Sequence, residues 1–382
     1  MDALLGIGLT GKLRPPIVQL VEKINSMKAF RVAVDVPTGI NSDSGEVLGN
    51  AVKANLTVTF YRAKPGLAKA KEYTGELVVK NIGLPHEFER FAGPGDVTLA
   101  VKPRLPEAHK GTFGRLLVIG GSKVFSGAPA LAAMAALRAG VDVVSVAAPE
   151  KTATAISSMS PALITVKLKG KHLNSGNLPS LKECLESATA VVLGPGLGLH
   201  SETKEAVREV IEQVEETGMP LLLDADGLKA FAEFRKKVDC PLVLTPHARE
   251  YEILAGSKLP KSLEERAEEV QRMARKLGAT ILLKGPVDVI SNGIDVKFNF
   301  TGNPGMTVGG TGDVLSGLVG GLLAMGADSF SAAVAGAFIN GAAGDFVAVE
   351  KGYHMLPTDL LEWIPHVMDD PMCHLEVRAN QR

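Results

Sequence analysis

At 382 residues the chain exceeds one ordinary core, which predicts two domains. Apolar residues make up 46% and charged residues 22%, and a formal net charge of −1 argues against a nucleic-acid or acidic-membrane partner. A small anionic ligand would have to be held by local donors, and 41 glycines allow many close backbone approaches. Cys184, Cys240 and Cys373 lie far apart with no CxxC pair, which disfavours a disulfide framework or a zinc site and fits a reducing compartment. Met1-Asp2-Ala3 does not open a signal peptide, and the longest apolar helical stretch, Val314 to Met325, is short and glycine-interrupted. A cytoplasmic protein with no membrane segment is expected.

In chain order, Val32 to Val36 reads as a buried strand ended by Pro37-Thr38-Gly39, and Leu56 to Phe60 and Glu76 to Lys80 read as two more. The Pro/Gly stretch Ala92 to Asp96 breaks the pattern and places a boundary near residues 95 to 105. Beyond it, Arg115 to Ile119, Val141 to Ala147, Ala190 to Leu193, Pro220 to Leu223, Leu242 to Thr245 and Thr280 to Leu283 are apolar strands. They alternate with helices such as alanine-rich Ala128 to Arg138 and charged Ser262 to Leu277. Repeated βα units with continuous apolar strands predict an α/β fold whose largely parallel sheet is covered by helices on both faces. Residues from about Asp370 read as a frayed tail.

Ligands of such sheets lie beyond the carboxyl ends of the strands. Gly194-Pro195-Gly196-Leu197-Gly198, Thr245-Pro246-His247 and Lys284-Gly285-Pro286-Val287-Asp288 each follow a strand there. Each is weak alone: glycine turns are common, a lone histidine is usually structural, and Lys284 could meet a phosphate or merely solvent. The strongest signal is Gly309-Gly310-Thr311-Gly312-Asp313, directly before an apolar helix. Glycines with a small hydroxyl residue expose backbone N–H groups at the positive helix end, a fit for a phosphate in flight. Asp313 in the first turn either complements the helix dipole or takes a proton from a hydroxyl before phosphoryl transfer. The glycine density before it favours the base. The loop is neither a Walker A motif nor a GxGxxG fingerprint.

Together with His109 to Arg115, Gly127-Ala128 and Asp224-Ala225-Asp226, these strings resemble, in order and over about 260 residues, the dehydratase domain of the bifunctional NAD(P)H-hydrate repair enzymes. The resemblance implies a ribokinase-like fold over 98–368, a tail over 369–382, and ADP- or ATP-dependent dehydration of hydrated NADH and NADPH. A phosphoryl group would go to the C6 hydroxyl of the S epimer, and loss of phosphate would restore the coenzyme. It also implies Asp313 as the base, and Ala128, Gly196, His247 and Asp313 as contacts to the hydrated dinucleotide. Lys284, Gly285, Pro286, Val287, Asp288, Gly309, Gly310, Thr311 and Gly312 would hold the nucleotide. Magnesium would ride largely on the phosphates, and a homo-oligomer, with a tetramer as one form, is expected.

Residues 1–97 resemble the C-terminal part of the same family's epimerase domain, a partial Rossmann-like α/β segment. The matching strings are Asp2 to Leu9, Val34 to Ile40 and Ala54 to Phe60 with Lys64 to Leu67. Asp35 resembles the catalytic aspartate, Gly6 and Gly8 belong to the same site, and Asp2 and Thr38 resemble potassium ligands. The family's preceding half is not in this sequence, and Ile7 and Thr38 stand where threonine and serine are usual, so the epimerase reaction is not expected of this piece alone. The competing function is a ribokinase-like kinase acting on a sugar or vitamin-precursor alcohol, which fold and Asp313 by themselves do not exclude.

Overall fold

The structure is a computed structural model that describes residues 1–104 and 106–380. It divides into two compact units, Met1–Phe88 and Glu89–Arg382. In the first, β1 (Val32–Val34), β2 (Leu56–Phe60) and β3 (Glu76–Lys80) form a parallel sheet in that order. The first strand is shorter than the apolar run 32–36 because Asp35 turns into the left-handed region at φ 66°. Val36, Ile40, Ala51 and Leu67 form one small core, and Leu13, Val21 and Val52 another, with Val21 supplied by helix Ile17–Ser26.

The second unit holds β4 (Arg115–Ile119), β5 (Val143–Pro149), β6 (Ile164–Leu168), β7 (Ala190–Leu193), β8 (Leu221–Leu223), β9 (Leu242–Leu244), β10 (Thr280–Leu283), β11 (Asp288–Ser291) and β12 (Val296–Asn299). They form one sheet in the order β12-β11-β10-β9-β8-β7-β4-β5-β6. From β10 to β6 neighbours run parallel; β11 pairs antiparallel with both β10 and β12. Alternate strand residues serve opposite faces. Leu116 and Val118 enter a core with helices Gly127–Arg138, Thr311–Ala324, Ser329–Lys351 and Pro357–Asp369, while Leu117 and Ile119 enter the core of the other face. The connections reverse direction between β4 and β7, which makes that point the crevice for a ligand.

Four features differ from the sequence reading. The unit boundary falls before 97, because Ala92 N–H donates to Phe298 O, Asp96 pairs with Lys297, and Val97 is fully buried. The segment read as a frayed tail is anchored: His374 is buried and its Nε2 lies 2.8 Å from Asp345 Oδ2. The longest apolar helix is Ser329–Lys351, whose run Asn340 and Asp345 interrupt in sequence; it is long and apolar enough to cross a membrane, yet 83% of its apolar window is buried inside the fold. Strands β6, β11 and β12 lie at or near the sheet's edges and carry the weakest apolar signal.

Helix Thr311–Ala324 lies close against both neighbours because glycine faces each of them. A Cβ on Gly317 would stand 1.9 Å from the Ala132 carbonyl oxygen, and one on Gly320 would stand 2.2 Å from Val192 Cγ2. Side chains at these points would force the helix off the sheet and so displace its first turn. We therefore expect Gly317→Ala to lower the unfolding free energy by about 1–3 kcal/mol, the usual cost of overpacking, in urea titrations. Gly95→Ala, where nothing lies within 4 Å of the added carbon, is the control expected to leave the midpoint in place.

Candidate active site

The loops at the carboxyl ends of β4, β7, β8, β9 and β10 interlock. Gly121 N–H donates to Pro195 O at 2.8 Å and Gly194 N–H to Ile119 O at 3.1 Å, which closes the switch point. Gly196 adopts φ 69°, and a Cβ there would lie 2.9 Å from Phe125 Cβ and 3.4 Å from Ala128 Cβ. Ala128 and Gly196, expected as contacts to one ligand, are thus neighbours, and only glycine fits the second position. Gly198 N–H donates to Asp226 Oδ2 at 2.9 Å. Lys229 then links Asp226 Oδ1, at 3.0 Å, to the buried Glu250 Oε1, at 3.7 Å.

His247 has the structural role weighed for it in the sequence, and its side chain also reaches a cavity wall. Its Nδ1 accepts from the amides of Arg249 and Glu250 and so caps helix Ala248–Ala255, which fixes the ring. Its Nε2, 3.4 Å from Glu250 Oε1, belongs to a half-exposed side chain on the wall of a cavity of about 560 Å³. Lys284, Gly285, Pro286, Asp288, Thr311 and Gly312 share that wall. Val287 instead packs against the core, and Gly285 N–H donates to Asp288 Oδ1 at 3.0 Å, so the loop folds on its own carboxylate.

Lys284 is the electrostatic centre. Its Nζ lies 2.9 Å from Asp224 Oδ1, which also accepts from the Thr245 hydroxyl at 2.9 Å. Burial opposes the ammonium charge, but Asp224 first, then Glu250 and Asp313, outweigh it and raise the pKa. A Cβ on Gly312 would stand 3.4 Å from Nζ, so the lysine reaches the first turn of helix Thr311–Ala324. Gly310, at φ 108°, is the N-cap of that helix and brings the loop into it with its amides uncovered. Gly309 is exposed with open space around it, and Thr311 Oγ1 ties the turn back to Met306 O at 2.8 Å.

Asp313 opens the same helix. Burial, then the charge of Asp224, pushes its pKa up to about 7; Lys284 pulls the other way, while Asp226 and Glu250 add to the rise. Burial likewise pushes Asp288 up to about 6, against donors Asn299 Nδ2 and Gly285 N–H. A carboxyl group that titrates near neutrality beside a lysine and a helix N-terminus can take a proton from an alcohol and release its oxygen toward phosphorus. The sequence reading missed Asp224, Asp226, Lys229 and Glu250 as the charges that set this balance; their one sequence signal was the Asp-Ala-Asp string after a strand.

In the first unit Asp35 accepts from Thr59 Oγ1 at 3.0 Å and Phe60 N–H at 3.1 Å, and pairs with Lys64. Burial works against its charge, but Lys64 and those donors prevail and hold the pKa below the ordinary value. The buried Asp2 accepts from Thr38 Oγ1 at 2.7 Å and Thr38 N–H at 2.8 Å. Gly6 and Gly8 are exposed with nothing within 4 Å of an added carbon.

The sequence model of the NAD(P)H-hydrate dehydratase family matches residues 116–366, and that of the YjeF-related protein N-terminus matches residues 1–66. The bifunctional NAD(P)H-hydrate repair enzyme of Pyrobaculum aerophilum is 47% identical over 96% of this chain and 73% of its own length. That of Hyperthermus butylicus is 44% identical over 97% and 70%. Among solved structures, the ADP/ATP-dependent NAD(P)H-hydrate dehydratase of Bacillus subtilis, co-crystallised with ATP and Mg²⁺, superposes with a TM-score of 0.62 at 27% identity, covering 75% of this chain and 99% of that one. The chain therefore belongs to the family of bifunctional NAD(P)H-hydrate repair enzymes, with the dehydratase match in its second unit.

Proposed function

We propose that the second unit dehydrates hydrated NADH and NADPH at the expense of ADP or ATP, and that Asp313 is the base. The observation that carries this is a carboxyl group with a pKa of about 7 on the glycine-capped helix N-terminus, within the influence of a buried lysine. Hydroxide is a poor leaving group and phosphate a good one, so the reaction needs a phosphorylated intermediate. Asp313 takes the proton of the C6 hydroxyl, and the C6 oxygen bonds the terminal phosphorus as its bridge to the nucleotide breaks. The amides around Gly310 to Gly312 and the Lys284 ammonium stabilise the transferring phosphoryl group. Departure of phosphate from C6 with a proton from C5 then restores the ring double bond. His247, Ala128 and Gly196 would hold the hydrated nicotinamide half, and the Lys284 to Asp288 loop would hold the nucleotide.

Asp224 and Asp226 are already taken by Lys284, Thr245, Lys229 and the Gly198 amide. They form no cage for magnesium, which would ride on the phosphates and offset their charge. The first unit supports a narrower statement. Asp35 is a fixed, ionised carboxylate, the form in which a side chain can act as a general base. Asp2 Oδ1 accepts from Thr38 Oγ1 and Leu4 N–H, while Oδ2 accepts only from Thr38 N–H and keeps a lone pair with which it could serve potassium.

The test is recovery of reduced-nicotinamide absorbance from hydrated NADH, Mg²⁺ and either ADP or ATP, with both C6 epimers supplied. Nucleotide-dependent recovery is expected, and a halt at the S fraction would assign dehydration alone. No recovery by folded protein that binds ADP would overturn the proposal and favour an alcohol kinase. In the same assay Asp313→Asn should lose about 10²–10⁴-fold in kcat while still binding ADP. Because the carboxylate is the active form, kcat/KM should rise with pH through about 7, the value to which burial pushes Asp313. Lys284→Met removes the cation that lowers this pKa, so the rise should move to higher pH while kcat drops roughly a hundredfold.

A further inference from the structure

Between β12 and the glycine-rich loop the chain lies directly on helix Ser329–Lys351. A Cβ on Gly341 would collide with Thr301 Oγ1, and one on Gly344 with Met306 Sδ. Asn303 shapes this stretch: its Oδ1 accepts from Gly305 N–H at 3.0 Å, and its Nδ2 donates to Gly344 O at 2.9 Å. Thr311 Oγ1 donates to Met306 O and Val308 O, so the turn Pro304–Thr307 is tied to the first residue of the helix that carries Asp313. One carboxylate anchors the start of the stretch. Asp345 Oδ2 accepts from Gly302 N–H, and Oδ1 from Asn303 Nδ2, both at 3.1 Å. Asp345 is 3% exposed, and so is His374, whose Nε2 lies 2.8 Å from Oδ2 and whose ring meets the Phe338 ring edge-on.

Burial opposes the charge of Asp345, but His374 first, then Asn303 and the Gly302 amide, outweigh it and hold the pKa below the ordinary value. An ionised carboxylate only accepts, so His374 Nε2 is the donor. A buried carboxylate that loses such a donor draws in water or a proton, and either one loosens the bonds it still makes. Gly302 and Asn303 line the cavity shared with Lys284 and Gly312; His374 lies outside that lining. We propose that His374 is a positioning residue for the phosphoryl donor: acting through Asp345, it holds Gly302, Asn303 and the turn after them in the shape that receives the nucleotide. This rests on the reading above that the nucleotide enters this cavity, and it adds the C-terminal segment to the machinery. The coupling is selective. Ala128 and Gly196, the expected contacts to the hydrated dinucleotide, are set by the Phe125 and Pro195 loops at the switch point. Lys284 is held by Asp224, and the helix of Asp313 by its packing on Ala132 and Val192.

The test uses the purified chain with hydrated NADH, Mg²⁺ and ADP, and calorimetric titration of ADP without substrate. His374→Leu keeps the bulk and removes the donor, and should raise KM and Kd for ADP about tenfold. KM for hydrated NADH and kcat should stay within about twofold, since neither depends on this anchor. His374→Gln, whose amide keeps a donor near the Nε2 position, should recover most of the loss, which packing alone does not predict. Coupling is reciprocal, so saturating ADP should slow hydrogen exchange at the amides of residues 371–377 in the unaltered protein by about the same tenfold. That measurement needs no variant to fold. Unchanged ADP affinity in His374→Leu, equal losses for ADP and hydrated NADH, no recovery in His374→Gln, or no ADP-dependent protection of 371–377 would each overturn the assignment. Failure of the function itself looks different: the unaltered protein then gives no turnover with ADP, while titration and exchange still decide the role of His374.

Discussion

The candidate site at the strand ends of the second unit depends on an imbalance of buried charge. Asp224, Asp226, Glu250 and Asp313 converge there, against the ammonium groups of Lys229 and Lys284. Asp224 and Glu250 are almost wholly buried, so water does little to screen them. Direct ion pairs satisfy Asp224 and Asp226, while burial first, and then the charge of Asp224, holds the proton of Asp313 until near neutrality. A surface aspartate would be ionised there but too weakly basic to accept a hydroxyl proton well. Four acids with two cations, on a buried helix turn, leave one carboxyl group titrating near neutrality without a histidine.

That balance holds only while the groups keep their spacing, and packing rather than hydrogen bonding fixes it. Asp313 belongs to a helix pressed against Ala132 and Val192 at glycine positions, so its first turn cannot slide without a clash. Lys284 ends a strand whose four residues are all buried, and Asp224 ends another such strand two places away in the sheet. His247 is held by its own helix N-terminus. Each of these side chains sits at the end of a rigid element or within its first turn, so its position is set by the core. The anchored C-terminal segment extends this logic. Buried Asp345, paired with His374, accepts from Gly302 N–H and Asn303 Nδ2, and both of those residues line the cavity.

Much of this was legible in the sequence, for a definable reason. Continuous apolar strands such as Ala190 to Leu193 and glycine clusters at their ends write the parallel sheet and its switch-point loops in local composition. Gly309 to Asp313 is legible because anion chemistry at a helix N-terminus needs glycine and a small hydroxyl side by side. What was not legible depends on distance in sequence. The link from Glu250 through Lys229 to Asp226, and the hold of Asp224 on Lys284, join residues on different strands, and nothing at any one position marks them. The tail was misread for the same reason: His374 finds its partner on a helix 29 positions earlier.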